Sequence, residues 1–372
     1  MNLPFLDTLL YGFVAIRSKR PVATFHSSEL PAIRRVLLLL TTGLGDAVLS
    51  TPIFPALRAA LPKADLRLFC RSAWAPLFTA DPNLNEVIPY YGKYRKFLPT
   101  IGRLRAFAPD LSVILHGNDP DIVPLAYLAG SRYVIRVPTR GTRFEFLLAN
   151  RERKQDASIL PGIHYVENRL RVLETLGVAA VGAAPQIYLD PRTRVAAADK
   201  LAARLRGAPY WVMHGNAADP YKIWPGERVR ELLIAARRAY PRHVAVLTGA
   251  PGEKAALNEI ARDLEGVYVL AGEFDIAGTA GVLAGADCVI APDTGILHLA
   301  AALDRPVVGL YAPTFANLVG PRALSATATI IQKPQTCDPC VEKKCPFAPR
   351  NCMDQIKPAE VLAAISRQLG AA

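Results

Sequence analysis

The chain has 372 residues, more than twice the length of one compact domain, so we expect two domains with separate cores. Hydrophobic residues make up 51% of the chain and charged residues 20%, which excludes a protein that is disordered along its length. The 44 Lys and Arg residues outnumber the 32 Asp and Glu residues and give a net charge of +12. This charge favours a partner that carries phosphate, whether a nucleotide, an anionic lipid or a nucleic acid.

Residues 1–30 predict an amphipathic extension. Its apolar residues fall near one face of a helix: Leu6, Leu9, Leu10, Phe13, Val14 and Ile16. Basic residues follow directly: Arg17, Lys19 and Arg20. Such a helix could lie on an anionic membrane or pack on the protein's own surface. A signal peptide is disfavoured because Asp7 precedes the apolar stretch, and no uncharged apolar run reaches the length of about 18 residues that a membrane-spanning helix needs.

From about residue 33, short apolar runs alternate with helical stretches, which predicts a doubly wound α/β domain. Residues 36–40 indicate a buried first strand, 41–46 a tight loop and 47–60 the following helix. Further strands are predicted at residues 66–70 and 111–115.

The same alternation of short apolar runs and helical stretches begins again near residue 210 and predicts a second doubly wound domain. Its predicted elements are strands at 211–214, 244–247, 288–290 and 307–311 and a helix at 227–238. Residues 181–191 are rich in turn formers and indicate the interdomain linker. We therefore expect an extension over 1–30, a first domain over 31–185, a second domain over 186–356 and a C-terminal helix over 357–372.

The first candidate site is Gly43-Leu44-Gly45-Asp46, between the first strand and its helix, followed by Thr51-Pro52. Gly43 and Gly45 would let the backbone turn sharply and approach a ligand closely. Asp46 could accept a proton from a hydroxyl group, or it could simply cap the helix.

Two further motifs predict phosphate recognition in the second half. In the stretch from Pro292 to Ala301, Asp293, Thr294 and Gly295 open a helix whose backbone N–H groups could bind phosphate, and His298 lies about one turn later. The alternatives are that Asp293 caps the helix and His298 packs in the core. In Tyr221-Lys222-Ile223-Trp224-Pro225, Lys222 is either a phosphate ligand or a solvated lysine.

The ordered set of these three motifs, with Pro306 to Thr314, strongly resembles the ADP-heptose:lipopolysaccharide heptosyltransferases of glycosyltransferase family 9, over about residues 34 to 365. The resemblance implies a GT-B fold, in which two Rossmann-like domains face a central cleft. It implies an acceptor-binding first domain and a second domain that holds the nucleotide-sugar. Residues 116–119, His-Gly-Asn-Asp, depart from the Gln-Gly that many members carry, which leaves the acceptor contacts open.

The same resemblance implies roles for individual residues. Asp46 corresponds to the catalytic base, Lys222 to the lysine that contacts the diphosphate, and Asp293 to the carboxylate that contacts the donor sugar. Thr294, Gly295 and His298 complete the donor site, and Glu253 corresponds to an acidic position near the ribose. The expected activity is inverting, metal-independent transfer of heptose from ADP-heptose to a lipopolysaccharide core or related glycan.

Partners and location follow from that activity. We expect an ADP-sugar donor, an anionic glycolipid acceptor, and a cytoplasmic protein that could contact the inner membrane. Basic residues in the first half could dock the acceptor or be ordinary solvated charge: Lys93, Arg95, Lys96, Arg103, Arg105, Arg132, Arg136 and Arg140. A different donor, a sugar-nucleotide epimerase and a non-catalytic RNA- or membrane-binding protein are the alternatives. No standard nucleic-acid motif appears, so no nucleic-acid partner is expected.

Four of the six cysteines lie close together in the sequence, as Cys337-x2-Cys340-x4-Cys345-x6-Cys352. Four thiolates could hold a structural zinc or iron ion, although the second half of this spacing is not a standard zinc pattern. Unbridged structural thiols and disulfides are the alternatives. Catalysis itself is expected to need no cofactor.

Overall fold

The computed structural model describes residues 3–18, 23–117, 119–136, 143–151, 160–337, 340, 344–346 and 352–369. Lys19, Arg20, Asn118 and Arg140 lie outside the described residues. The chain divides into two compact units, Met1–Ala183 (unit 1) and Ala184–Ala372 (unit 2). None of the helices within the described ranges is both long and apolar enough to cross a membrane.

Unit 1 contains one five-stranded sheet, in the order β3-β2-β1-β4-β5, and every pair of neighbouring strands is parallel. The strands are β1 (Arg35–Leu40), β2 (Asp65–Arg71), β3 (Glu86–Tyr90), β4 (Leu111–His116) and β5 (Tyr133–Arg136). The helices are α1 (Leu3–Arg17), α2 (Leu44–Leu49), α3 (Ile53–Ala60), α4 (Phe97–Phe107), α5 (Ile122–Leu128) and α6 (Tyr165–Leu176). The run of apolar residues in β1 is buried because this central strand is covered on both faces.

Unit 2 contains a six-stranded parallel sheet in the order β11-β10-β9-β6-β7-β8. The strands are β6 (Tyr210–Met213), β7 (Val244–Leu247), β8 (Val267–Val269), β9 (Val289–Pro292), β10 (Val307–Tyr311) and β11 (Ala328–Gln332). The helices are α7 (Pro191–Leu205), α8 (Gly226–Ala239), α9 (Lys254–Ala261), α10 (Ile276–Ala284), α11 (Gly295–Ala302), α12 (Ala316–Val319) and α13 (Pro358–Leu369). Trp211 and Trp224 are buried in the core of this unit, and the Trp224 indole donates a hydrogen bond to the carbonyl of Ile356.

The two doubly wound domains predicted from the sequence are confirmed, because both sheets follow the Rossmann strand order. In each unit the order of the strands reverses between two neighbours, β1 and β4 in unit 1 and β6 and β9 in unit 2. Open parallel sheets bind ligands beside the carboxyl ends of the strands at this switch point. The loops that follow these four strands are therefore the places to look for a site.

The single helix predicted over residues 47–60 is wrong, since the chain forms α2 and α3 there. Pro52 has no backbone N–H to continue the first helix and disfavours helical geometry in the residue before it. The hydroxyls of Ser50 and Thr51 donate hydrogen bonds back to the carbonyls of Asp46 and Val48, which ties the end of the first helix to the residues that interrupt it. The break leaves Asp46 in a short helix, next to the end of β1.

Candidate active site

The side chain of Asp46 is held by an arginine from a helix that is distant in the sequence. It lies in the first turn of α2, whose N-cap residue is Gly43 and whose first turn has no side-chain cap. The Asp46 carboxylate instead accepts a hydrogen bond of 2.6 Å from Nη2 of Arg169 in α6. The Arg169 side chain is only 3% exposed, whereas that of Asp46 is 33% exposed. The capping alternative therefore finds no support, and the carboxylate is fixed in orientation yet open to solvent.

His116, the last residue of β4, lies on the other side of the same carboxylate. Its Nδ1 is 3.9 Å from the second carboxylate oxygen of Asp46, and this buried nitrogen has no hydrogen-bond partner among the described residues. Burial, together with the positive charge of Arg169, lowers the pKa of His116 to about 4, although Asp46 opposes the shift. The imidazole is therefore neutral at physiological pH.

The glycines near Asp46 do not make the sharp turn that the sequence suggested. Gly43 has φ of −64°, and Gly45 lies within α2, so the backbone conformation of neither residue makes a sharp turn that only glycine permits. A Cβ atom on Gly43 would meet nothing within 4 Å, which leaves room for a ligand beside this loop. At Gly117, by contrast, a Cβ atom would lie 2.6 Å from Oγ1 of Thr41. Gly117 therefore allows the loops after β1 and β4 to approach closely at the switch point.

In unit 2, Lys222 and Asp293 form a largely buried ion pair. Lys222 ends a short 3-10 turn, Pro220–Lys222, and its ammonium donates a hydrogen bond of 2.7 Å to Oδ2 of Asp293. The two side chains are 17% and 9% exposed. The alternative that Lys222 is a solvated lysine is therefore wrong. Asp293 lies one residue before the N-cap of α11, and its carboxylate bonds the Lys222 ammonium and does not cap the helix.

The charge of Asp293 is maintained against burial by its neighbours. Burial raises its pKa, but the close approach of the His298 imidazole and the charge of Lys222 outweigh this and bring the pKa to about 2. Nε2 of His298 lies 3.6 Å from Oδ1 of Asp293, and the imidazole is 5% exposed. His298 is thus buried, as one alternative held, while also contacting Asp293.

The start of α11 offers unsatisfied donors. Thr294 is the N-cap residue, yet its side chain makes no capping bond, and its buried Oγ1 has no partner in the part of the chain that the structure describes. Gly295 is the first residue of the helix, where backbone N–H groups lack intrahelical acceptors. The Thr294 hydroxyl and the backbone N–H groups of a helix start directly follow the carboxylate that pairs with Lys222, and together these groups form a local environment suited to phosphate.

Glu253 stabilises the loop that follows β7. One of its carboxylate oxygens accepts a hydrogen bond of 2.6 Å from the backbone N–H of Ala250. At the end of β6 nearby, Nδ1 of His214 lies 3.1 Å from Oγ1 of Thr248, and burial lowers the pKa of His214. These side chains lie at the carboxyl edge of the sheet, on the β7 side of the switch point.

The predicted metal site at the cysteines finds no support. Cys337, Cys340, Cys345 and Cys352 are all unbridged, and within the described ranges no three His, Cys, Asp or Glu side chains come together as a set that could hold a metal ion. Sγ of Cys352 instead lies 3.2 Å from Oγ1 of Thr336. Among the described residues, the cysteines are therefore consistent with the alternative of unbridged thiols.

Arg169 is a site residue that the sequence analysis did not identify. It is 123 positions from Asp46 in the sequence, and no motif in the neighbouring sequence indicates that it pairs with a carboxylate. The available signal is its place in α6, where Val166, Leu170 and Leu173 are buried. Charged residues are rarely buried without a partner, so an arginine on this apolar face should have prompted a search for a carboxylate.

Comparison with known proteins identifies the family of the chain. The family model for glycosyltransferase family 9 (heptosyltransferase) matches residues 131–350, more than half of the chain. Lipopolysaccharide heptosyltransferase 1 of Pseudomonas aeruginosa is 29% identical over 335 residues, which cover 85% of this chain and 88% of that protein.

Solved structures resemble the chain over most of its length. A family 9 glycosyl transferase from Veillonella parvula has a TM-score of 0.75 at 20% identity, over 90% of this chain and 97% of that one. The ADP-heptose LPS heptosyltransferase II of E. coli has a TM-score of 0.73 at 21% identity, over 90% and 98%. These likenesses confirm the predicted GT-B type of fold. The family match shows that the chain belongs to glycosyltransferase family 9, the heptosyltransferases, and is a glycosyltransferase.

Proposed function

We propose that this glycosyltransferase moves a heptose from ADP-heptose to a lipopolysaccharide core or a related glycan, with inversion and without a metal ion. The names of its relatives support the donor and the acceptor. The observation that carries the proposal is that a carboxylate follows the switch-point strand of each sheet, Asp46 after β1 and Asp293 after β9, and that each bonds a cation and caps no helix.

Unit 2 would hold the donor. The Lys222 ammonium, the hydroxyl of Thr294 and the N–H groups at the start of α11 supply donors for the diphosphate, and these take the place of a divalent cation. Asp293 would accept hydrogen bonds from sugar hydroxyls, and Glu253 would bind the ribose. Because Asp293 neutralises Lys222 before any ligand arrives, the diphosphate must share the ammonium with this carboxylate.

Unit 1 would hold the acceptor, with Asp46 as the base. In a single displacement, Asp46 takes the proton of the acceptor hydroxyl while the acceptor oxygen bonds to the anomeric carbon. The bond from that carbon to the diphosphate breaks, and its electron pair leaves with the diphosphate, whose growing charge Lys222 stabilises. Attack from the side opposite the leaving group inverts the anomeric centre. Arg169 keeps the base oriented throughout.

The location follows from the acceptor. We propose that the protein works in the cytoplasm, at the inner face of the inner membrane, where an anionic glycolipid core would be available. The net charge of +12 supports an anionic partner. Nucleic acid is not part of the proposal.

A donor screen tests the proposal. The purified protein is given ADP-heptose, or an ADP-, UDP- or GDP-hexose, together with a truncated core acceptor, and product is measured by mass spectrometry. We expect transfer with ADP-heptose to exceed transfer with each hexose donor. Preference for another nucleotide-sugar would contradict the donor assignment, and conversion of the donor to an epimer without any acceptor would contradict transfer itself.

A further inference from the structure

An irregularity in the unit 1 sheet places His116 beside Asp46. The pairing of β1 with β4 shifts by one residue near its end, so that Leu40 lies opposite His116 and not opposite Leu115. Such bulges re-aim a side chain and are common next to active sites. The backbone N–H of Thr41 donates a hydrogen bond of 3.1 Å to the His116 carbonyl, which fixes this strand end against the loop that leads to Asp46.

The two ring nitrogens of His116 have different surroundings. Nδ1 is buried, has no hydrogen-bond partner in the described part of the chain, and lies 3.9 Å from Oδ2 of Asp46. Nε2 is not one of the buried atoms that lack a partner, and the side chain is 19% exposed. The ring therefore turns one nitrogen towards the proposed base and leaves the other open to solvent.

The Asp46 carboxylate selects the nitrogen that carries the proton. Burial and the charge of Arg169 lower the pKa of His116 to about 4, so the ring is neutral at physiological pH and has a single N–H group. A lone pair on Nδ1 would face an electron-rich oxygen, whereas an N–H group there is attracted to it. The contact is longer than a hydrogen bond, as contacts between catalytic groups often are before a substrate binds. The proton therefore lies on Nδ1, and Nε2 keeps a free lone pair.

Two hydrogen-bond acceptors then lie side by side at the carboxyl edge of the unit 1 sheet. Oδ1 of Asp46 is occupied by Arg169, so the acceptors that remain are Oδ2 of Asp46 and Nε2 of His116. A hydroxyl group carries one proton and can donate it to only one of them. The attacked hydroxyl must donate to Asp46, since the base takes its proton. Nε2 of His116 is paired only if the acceptor brings a second hydroxyl close to the first.

We propose that His116 selects acceptors that carry a second hydroxyl next to the attacked one, as a vicinal diol on a sugar ring does. The attacked hydroxyl would bond to Asp46 and its neighbour would donate to Nε2 of His116. Two contacts orient the sugar ring, whereas it could turn about one. An acceptor without the second hydroxyl would leave Nε2 desolvated and unpaired. The inference rests on the proposed function, because it names the acceptor class of the same site.

Nitrogen NMR of the full chain tests the tautomer without any turnover. The protein is prepared with isotope-labelled histidine, and the signals of His116 are identified as those lost in His116→Asn. We expect a ring that is protonated at Nδ1 and bare at Nε2 at neutral pH. Asp46→Ala should remove this preference, because the carboxylate sets it. A ring protonated at Nε2 in the unchanged protein would overturn the proposal.

Deoxygenated acceptors test the contact in the reaction. The attacked hydroxyl is identified from the product, and analogues of the truncated core acceptor then lack each neighbouring hydroxyl in turn. With one of these analogues the unchanged protein should lose about 10- to 100-fold in kcat/KM. Addition of the complete acceptor should also move the Nε2 signal of His116, and the same analogue should move it little.

Two variants separate the nitrogens of His116. His116→Asn places an amide nitrogen near the former Nδ1 and nothing near the former Nε2. It should use the complete acceptor less well and no longer distinguish it from the analogue. His116→Gln can place its amide oxygen near the former Nε2 and should keep part of the discrimination. A purely structural role for His116 would lower the rates with both acceptors equally in the two variants.

The matched control is His243→Asn. Nε2 of His243 lies 3.4 Å from Asp287 in unit 2, and the side chain is 22% exposed, so this histidine resembles His116 in exposure and in its acidic neighbour. The control should keep both the rate and the discrimination. Thermal unfolding and titration with ADP confirm that each variant folds and binds the nucleotide.

The outcomes separate this inference from the proposed function. If every analogue is transferred as fast as the complete acceptor, or if His116→Asn discriminates as the unchanged protein does, the inference is overturned and the transferase activity stands. If heptose is transferred to no acceptor, the proposed function fails, while a shift of the Nε2 signal with the complete acceptor alone would still uphold the role of His116. The absence of both transfer and shift would overturn both.

Discussion

Replacing Lys222 by Met should destabilise unit 2 through Asp293. The Asp293 pKa of about 2 lies almost two units below its ordinary value of 3.8, which corresponds to about 2 kcal/mol of stability at neutral pH. Lys222 and His298 together supply this stabilisation of the Asp293 carboxylate. When Lys222 is removed, the largely buried carboxylate keeps only His298 of these two partners. We therefore expect Lys222→Met to lower the free energy of unfolding of unit 2 by about 1 to 3 kcal/mol.

The dependence on pH has a definite sign. Because the folded pKa of Asp293 is depressed, its contribution is fully present above about pH 4 and is lost as the pH falls toward 2. Between about pH 4 and pH 2, the difference in free energy of unfolding between the unchanged protein and Asp293→Asn should therefore disappear. Urea unfolding followed by tryptophan fluorescence suits this comparison, because Trp211 and Trp224 are buried in unit 2. The double variant Lys222→Met/Asp293→Asn completes the cycle and should recover part of the loss.

Nucleotide binding distinguishes the proposed donor site from a purely structural ion pair. Lys222→Met should weaken binding of ADP and of ADP-heptose. Asp293→Asn releases the ammonium, so ADP should bind as well as before or more tightly, while ADP-heptose loses a contact to its sugar. Calorimetric titration measures all four affinities. Equal losses of ADP and ADP-heptose in Asp293→Asn, or an unchanged stability of Lys222→Met, would refute this account of the pair.

Three other predictions concern the base, its neighbour and the leaving group. Asp46→Asn should lower the rate of transfer by about 10² to 10⁴-fold while ADP-heptose still binds; a rate within a few-fold of the unchanged protein would exclude Asp46 as the base. His116 has a pKa of about 4 against its ordinary 6.5, so the unfolded state takes up the proton first and unit 1 should lose up to about 3 kcal/mol as the pH falls from 6.5 to 4. His116→Gln should flatten that slope in urea unfolding, and an unchanged slope would contradict the assigned burial. EDTA should leave turnover intact, since Lys222 and the start of α11 are proposed to hold the diphosphate; activity lost in EDTA and restored by magnesium would contradict this.

The central strands of both units could be predicted from the sequence because their apolar runs are continuous. Residues 244–247 and 307–311 match β7 and β10 residue for residue, since strands covered on both faces leave no polar interruption. The four edge strands β3, β5, β8 and β11 were not predicted. β3 and β11 mix buried and partly exposed positions, and edge strands of this kind give a weak apolar signal.

The candidate site was predicted in part. The sequence pointed to Asp46, Lys222 and Asp293 because each follows a buried strand or lies in a loop near one. It did not reveal what each of them bonds. Lys222 and Asp293 are 71 positions apart and Arg169 and Asp46 are 123 apart, and contacts of such range depend on how the strands are ordered in the sheet. The strand order follows from packing of the whole unit, which no local pattern contains.

The placement of these ion pairs bears on how the family could diversify. Asp46, Arg169 and His116 all belong to unit 1, and Lys222, Asp293 and His298 all belong to unit 2. Each constellation can therefore be inherited as a whole when the gene recombines near codons 183 and 184. A hybrid that joins unit 2 of this chain to the first half of a relative would keep Lys222, Asp293 and His298 together. Specificity for a new acceptor could then arise by exchange of unit 1, without simultaneous mutation of unit 2.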